Sequence, residues 1–168
     1  FIPAEGVEAL WDRILAVGAS AGIQPCGLGA RDTLRTEMGY PLYGHELDES
    51  TSPIEAGLGA FVDLAKGDFV GSDVLAAHKS EGVTRRCVAF RMGERSAPPR
   101  PGYTIHAGGK PAGIVVSGTQ SPSLNVGIGM GYVPPEYAAP GTMIEIEIRG
   151  RFFPAEIVKK PIYRKNPA

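Results

Sequence analysis

The stretch MIEIEIRGRFFPAEIV, residues 143–158, decides the fold class of the larger part of the chain. Ile144, Ile146 and Ile148 alternate with Glu145, Glu147 and Arg149. A two-residue period of this kind belongs to a strand with one face buried and the other wet. Gly150 interrupts the alternation and turns the chain into a second run, residues 152–158. Upstream, Arg86-Cys87-Val88-Ala89-Phe90-Arg91-Met92 is strand-like, and residues 97–102 are a Pro-rich break. Residues 103–106 and 111–117 flank Gly108-Gly109, which predicts a hairpin. Residues 126–133 predict another strand, interrupted by glycines that suit close packing between strands. About six short strands with Gly and Pro turns predict an antiparallel β-barrel, jelly-roll-like, over residues 82–168.

Residues 1–81 have a different texture. Phe1 and Ile2 read as the end of a strand, and Pro3 suits the first turn of a helix. Glu5 and Glu8 lie near the positive end of that helix. Val7, Leu10, Trp11, Ile14 and Leu15 recur at helical spacing and predict a core-facing stripe, with the helix fading at Gly18 and Gly22. A short helix is expected over residues 30–38, with Leu34 and Met38 on the core side and Gly39 as its stop. Residues 60–64 predict a strand and residues 71–80 a helix carrying His78, which reads as a surface or partly buried side chain. Ser80-Glu81-Gly82 is the predicted boundary. The class is therefore α+β: a partial α/β domain, residues 1–81, followed by the barrel.

Composition narrows the function. The chain has 168 residues, 43% hydrophobic and 21% charged, with a net charge of −1. This is a globular composition with no basic stripe for nucleic acid and no apolar run of membrane-spanning length. Cys26 and Cys87 are far apart without metal-like spacing, and both are expected to be buried thiols in the cytoplasm.

The chemistry concentrates in residues 27–56, GLGARDTLRTEMGYPLYGHELDESTSPIEA. Gly27 and Gly29 precede a helix but lack the third glycine and the βαβ frame of a dinucleotide fingerprint. Arg31 and Arg35 share a helix face, with Asp32 and Glu37 as available partners, which predicts a solvated, salt-bridged face. His45, Glu46, Asp48 and Glu49 match neither a zinc helix nor a calcium loop and read as a solvated acidic loop, so no metal is expected. Ser52, Pro53 and Glu55 form the signature of a capping box opening a helix. Residues 117–124, SGTQSPSL, carry serines but no elbow or base, and read as a structural turn at the barrel rim.

GLGARDTLR (27–35), YPLYGHELDE (40–49) and TSPIEAGLGAFVDLAKGDFVG (51–71) resemble the aminomethyltransferase, or T-protein, family of the glycine cleavage system. SGTQSPSLNVGIGMGYVPPEY (117–137), PGTM (140–143) and KKPIYR (159–164) resemble the carboxy-terminal barrel of the same family. The resemblance covers essentially the whole chain in the family's order. It implies transfer of a one-carbon unit from an aminomethyl group, carried on the lipoyl arm of H-protein, to tetrahydrofolate, with release of ammonia. Tetrahydrofolate is then the co-substrate and lipoylated H-protein the partner. By the same resemblance Arg31 is a folate contact, and residues 163–167 approach folate through Tyr163 and Arg164. A guanidinium suits folate's carboxylates and carbonyl, offering a planar fork that Lys does not reproduce.

The family's catalytic Asp and pterin-reading Glu match nothing in this chain. The expectation is a carboxy-terminal half, inactive alone, with no catalytic residue of its own and with apolar helix faces left exposed. Two alternatives share the folate frame: a module of a dimethylglycine or sarcosine dehydrogenase-like protein, and a non-catalytic folate-binding interaction protein.

Overall fold

In the computed structural model, residues 1–165 are described. The expected barrel is present. Its strands are β1 (Arg86–Met92), β2 (Thr104–Ala107), β3 (Lys110–Ser121), β4 (Val126–Val133), β5 (Met143–Ile148) and β6 (Arg151–Val158). All pair antiparallel and close in the order β1-β4-β3-β2-β5-β6, with β6 returning to β1. β2, β3 and β4 form a meander and β1 lies beside β4, the Greek-key arrangement. Closure leaves the sheet no unpaired edge.

The barrel interior is one apolar cluster that includes Phe90, Met92, Ile105, Val115, Ile146 and Ile157. The alternation in residues 143–148 sends Ile144, Ile146 and Ile148 into it. Each such isoleucine contributes roughly 1.5–3 kcal/mol by leaving water. β4 puts glycines on the inner face so that its neighbours' side chains can fill the space. A Cβ on Gly129 would lie 2.5 Å from Phe90 Cζ, and one on Gly131 2.5 Å from Ile105 Cδ1. On the other face of β4, Ile128, Met130 and Tyr132 are also buried, so the outside of this strand is covered as well.

A bulge in β3 decides what covers it. Val115 pairs with Gly131, but Ser117 pairs with Met130, so one extra residue, Val116, intervenes on β3. An inserted residue reverses the side-chain phase of the strand beyond it. Val115 stays in the core cluster, while Ser117 and Ser121 join the buried outer face of β4.

By Cα packing the chain divides into a unit of residues Phe1–Asp32 and a unit from Thr33 onward. The first holds α1 (Val7–Gly18), which forms as predicted. Its stripe is not core-facing, however: Val7, Leu10, Trp11 and Ile14 are all exposed and the helix buries no residue. Residues 1–3 belong to no strand. α2 (Leu28–Met38) begins in the first unit and ends in the second. Its expected core residues Leu34 and Met38 are exposed, and Thr36 and Glu37 are buried instead. The reason lies in the covering surface, which offers hydroxyl donors where an apolar wall was expected.

Residues 59–66 hold two 3-10 turns in place of the expected strand. Phe61 N–H bonds to Leu58 C=O and Val62 N–H to Gly59 C=O, so the backbone is satisfied locally and needs no neighbouring strand. The helix expected after Ser52 is a single turn, closed by Gly57 at φ +79°. α3 (Ser72–Ser80) forms as predicted.

Candidate functional site

A dense polar arrangement in the unit from Thr33 onward lies where α2 ends against the outer face of β3 and β4. Arg35 projects from α2 with its side chain only 9% exposed. Its Nη1 donates to Glu46 Oε2 at 2.9 Å and its Nη2 to Ser117 Oγ at 2.8 Å. The turn at residues 42–47 brings Glu46 there: His45 and Glu46 N–H both bond to Leu42 C=O, and Gly44 takes φ +88°. Leu42 N–H also donates to Glu46 Oε2 at 2.9 Å, and the Tyr132 hydroxyl donates to Glu46 C=O at 2.6 Å. Glu46 is fully buried, and its Oε1 meets no donor among the described residues. The expected solvated loop is therefore corrected at this position. A carboxylate already paired to a guanidinium is held here, while His45, Asp48 and Glu49 remain exposed. His45 Nδ1 lies 2.9 Å from the carbonyl of Val116, the bulge residue itself.

Glu37, two residues along α2, is a second hub. Its Oε1 accepts from the Ser121 hydroxyl at 2.5 Å, and its Oε2 accepts from the Ser123 hydroxyl at 3.0 Å. Its backbone carbonyl accepts from Ile162 N–H at 2.9 Å and Tyr163 N–H at 3.0 Å. The serine-rich run is thus an anchor for α2 more than a free rim turn, and Glu37 spends its charge on serines, not on an arginine.

Tyr163, one of the expected folate contacts, is half-buried and fixed by its backbone to the end of α2; Arg164 beside it is exposed. Residues 166 and 167 of the expected stretch lie outside the described residues. Arg31 is exposed on the first half of α2.

The capping box closes as predicted. Ser52 N–H donates to Glu55 Oε2 at 2.8 Å and Glu55 N–H to Ser52 Oγ at 3.2 Å. Arg85 Nε donates to Glu55 Oε1 at 2.9 Å, and the guanidinium stacks 4.8 Å over the Tyr132 ring. Burial works to raise the Glu55 carboxyl, but the Ser52 N–H and the Arg85 guanidinium outweigh it and hold it below the ordinary range. Hydroxyls of Thr51 and Ser50 lower Asp48 likewise. Burial pushes the Cys87 thiol up, against the pull of the Lys160 ammonium 3.8 Å away. Cys87 is half-buried and Cys26 is exposed, which corrects the expectation of two buried thiols.

At the barrel rim a cavity of about 610 Å³ is lined by Arg100, Arg149 and Arg151 with Tyr103 and Phe153. Arg149 holds φ +52° in the tight turn before Gly150, a conformation that disfavours a bulky side chain. Among the described residues no carboxylate forms an ion pair with these three guanidiniums. Among the described residues there is also no cluster of three or more metal-ligating side chains, and no helix is long and apolar enough to cross a membrane.

Comparison with known proteins places this architecture. The family described as "Glycine cleavage T-protein C-terminal barrel domain" matches residues 85–164, and "GCVT N-terminal domain" matches residues 1–66. The chain belongs to the glycine cleavage T-protein family. It is 47% identical to an aminomethyltransferase of Alkaliphilus oremlandii over 99% of its length, covering 45% of that relative. It is 50% identical to one of Bacteroides thetaiotaomicron over 96% of its length, again covering 45% of the relative. The crystal structure of glycine cleavage system aminomethyltransferase T from Bartonella henselae superposes with a TM-score of 0.86 at 30% identity, over 96% of this chain and 45% of that one. The chain thus spans a little under half the length of these T-protein relatives. They do not favour the reading as a dehydrogenase module.

Spacing alone did not reveal the residues that organise this T-protein chain internally. Arg35, Glu37, Glu46, Ser117 and Ser121 are joined by hydrogen bonds that span as many as 84 positions. The available signal was weak: polar Thr36-Glu37 between Leu34 and Met38, and serines four apart before a turn.

Proposed function

We propose that the chain forms the carboxy-terminal part of a tetrahydrofolate-dependent aminomethyltransferase of glycine cleavage. The observation that carries this reading is similarity along 99% of the chain to aminomethyltransferases. The division into residues 1–81 and 82–168 belongs to the proposal and is supported by family matches that end at residue 66 and resume at residue 85. The aminomethyl donor is lipoylated H-protein. The lipoyl thiolate leaves the aminomethyl carbon, N5 of tetrahydrofolate attacks the resulting iminium, and ammonia departs as N10 closes the methylene bridge.

Arg31 is the folate contact of this chain, with Tyr163 and Arg164 contributing from the tail. An exposed guanidinium offers a fork to folate's carboxylates or carbonyl. The catalytic Asp belongs to the part of the relatives that this chain does not match, so the chain alone turns over no substrate. The cationic rim around Arg100, Arg149 and Arg151 suits an anionic partner surface.

The test joins this chain behind the leading segment of the Alkaliphilus relative and follows methylenetetrahydrofolate formation from aminomethyl-lipoyl H-protein. The fusion is expected to be active and the isolated chain silent. Arg31→Ala in the fusion is expected to raise the KM for folate about 10- to 100-fold, the worth of one hydrogen bond to a charged group. Activity of the isolated chain, or an unchanged folate KM, overturns the corresponding assignment.

A further inference from the structure

On the reading that Tyr163 and Arg164 touch folate, we propose that Glu37 is the positioning residue behind them: the end of α2 holds residues 160–163 in place, so that Tyr163 and Arg164 meet the ligand already ordered. The last carbonyls of a helix have no partner within it. α2 closes two of its own with a Schellman pair, Tyr40 N–H to Arg35 C=O at 2.8 Å and Gly39 N–H to Thr36 C=O at 2.9 Å, with Gly39 at φ +68°. The Glu37 carbonyl is not part of that pair, and it takes both Ile162 N–H and Tyr163 N–H, at 2.9 and 3.0 Å. Lys160 packs over the same helix end: a Cβ on Gly39 would stand 2.8 Å from Lys160 Cγ.

The side chain of the same residue fixes this helix end to the barrel. Glu37 is 3% exposed, and its carboxylate accepts from the hydroxyl of Ser121, where β3 ends, and from that of Ser123 in the turn that follows. Glu37 therefore grips twice, with its side-chain oxygens on the barrel and with its backbone oxygen on the tail. The next residue along the tail, Arg164, is exposed. A chain end has to be ordered before its side chains can hold a ligand, and the entropy of ordering it is subtracted from affinity. Fixing Ile162 and Tyr163 in the free protein removes that cost. Releasing the carboxylate loosens the last turn of α2 and the tail with it. The consequence is weaker folate binding at unchanged chemistry, which is a higher KM with the same kcat.

The experiment uses the fusion to the leading segment of the Alkaliphilus relative and measures tetrahydrofolate KM, kcat and amide hydrogen exchange. Glu37→Ala is expected to raise the KM about 10-fold with kcat held, and to speed exchange at Ile162 and Tyr163. Glu37→Gln, which keeps an acceptor oxygen for a serine hydroxyl, is expected to restore most of both. Ile146→Val, a core control that lowers the melting temperature, is expected to leave the KM at its wild-type value. The double variant Tyr163→Ala, Arg164→Ala tests the underlying reading separately. A raised KM there with an unchanged KM in Glu37→Ala overturns the positioning role and keeps the reading, whereas an unchanged KM there overturns both. A KM that rises in Glu37→Ala without faster exchange at Ile162 and Tyr163 also overturns the positioning role, because the effect then does not pass through the tail. So does an equal rise in Ile146→Val, which marks a general loss of stability.

Discussion

Arg35 and Glu46 form a buried ion pair at 2.9 Å, and the other arm of the guanidinium rests on Ser117 of the barrel. A short helix, a tight turn and a strand are joined through one guanidinium. Removing either charge leaves the other buried without this ion pair. Arg35→Met or Glu46→Leu alone is expected to cost about 3–5 kcal/mol, and the double variant less, because it removes both charges together. Urea unfolding of the four proteins measures this, and equal losses in single and double variants would contradict it.

Glu37 accepts from two serine hydroxyls while its own backbone holds Ile162 and Tyr163. Glu37→Ala strands both hydroxyls and is expected to destabilise by about 1–3 kcal/mol, with faster hydrogen exchange at the Ser123 amide. Glu37→Gln keeps one acceptor oxygen and loses less. Exchange that is identical in all three proteins would remove Glu37 from this role.

Gly131 has backbone on one side and a core side chain on the other. Its added Cβ would stand 2.5 Å from Ile105 Cδ1 and 2.6 Å from Ile114 O. Gly131→Ala forces the β3–β4 ladder apart and is expected to cost more than the roughly 1–3 kcal/mol typical of overpacking. Gly150→Ala, strained at φ +74° but with open space around it, is expected to cost only ~1–2 kcal/mol. Melting temperatures of the two variants rank them.

Glu55 ionises more easily in the folded chain than its ordinary value of 4.5. A carboxyl lowered on folding adds stability that is full above its unfolded value and fades as pH falls through its folded value. The chain is therefore expected to lose stability in acid below about pH 4.5, and Glu55→Gln to flatten that slope while lowering stability at neutral pH. Melting curves from pH 3 to 7, roughly the span over which carboxyls titrate, test the sign.

The two thiols are expected to separate by reactivity. Cys26 is exposed, whereas burial of Cys87 keeps its thiol protonated at neutral pH. Iodoacetamide under native conditions should label Cys26 first, and peptide mass spectrometry reads the order. Equal labelling would show that Cys87 is more open than the fold allows.

Local patterns determined the elements. Alternation over residues 143–148, the Gly108-Gly109 turn and the bounds of β1 and β4 were readable because strand period and turn chemistry act between near neighbours. The capping box at Ser52 and Glu55 was readable for the same reason, although Gly57 cut the helix after it to one turn. Resemblance in ordered motifs identified the family, and the comparisons agree. The strand expected at residues 60–64 failed because three apolar residues in a row are satisfied equally well by local 3-10 bonds.

By itself the sequence determined the barrel strands, the helices α1, α2 and α3, and the family. The tertiary structure alone decided which charges are buried. One inserted residue, Val116, reverses the phase of β3 and turns Ser117 and Ser121 outward. Those hydroxyls then receive Arg35 and Glu37, so α2 buries its polar side and exposes Leu34 and Met38. No local period records a bulge, because its effect appears only when the register of the neighbouring strand is known. An acidic loop and a salt-bridged helix face became, through that one residue, the internal anchor between α2 and the barrel.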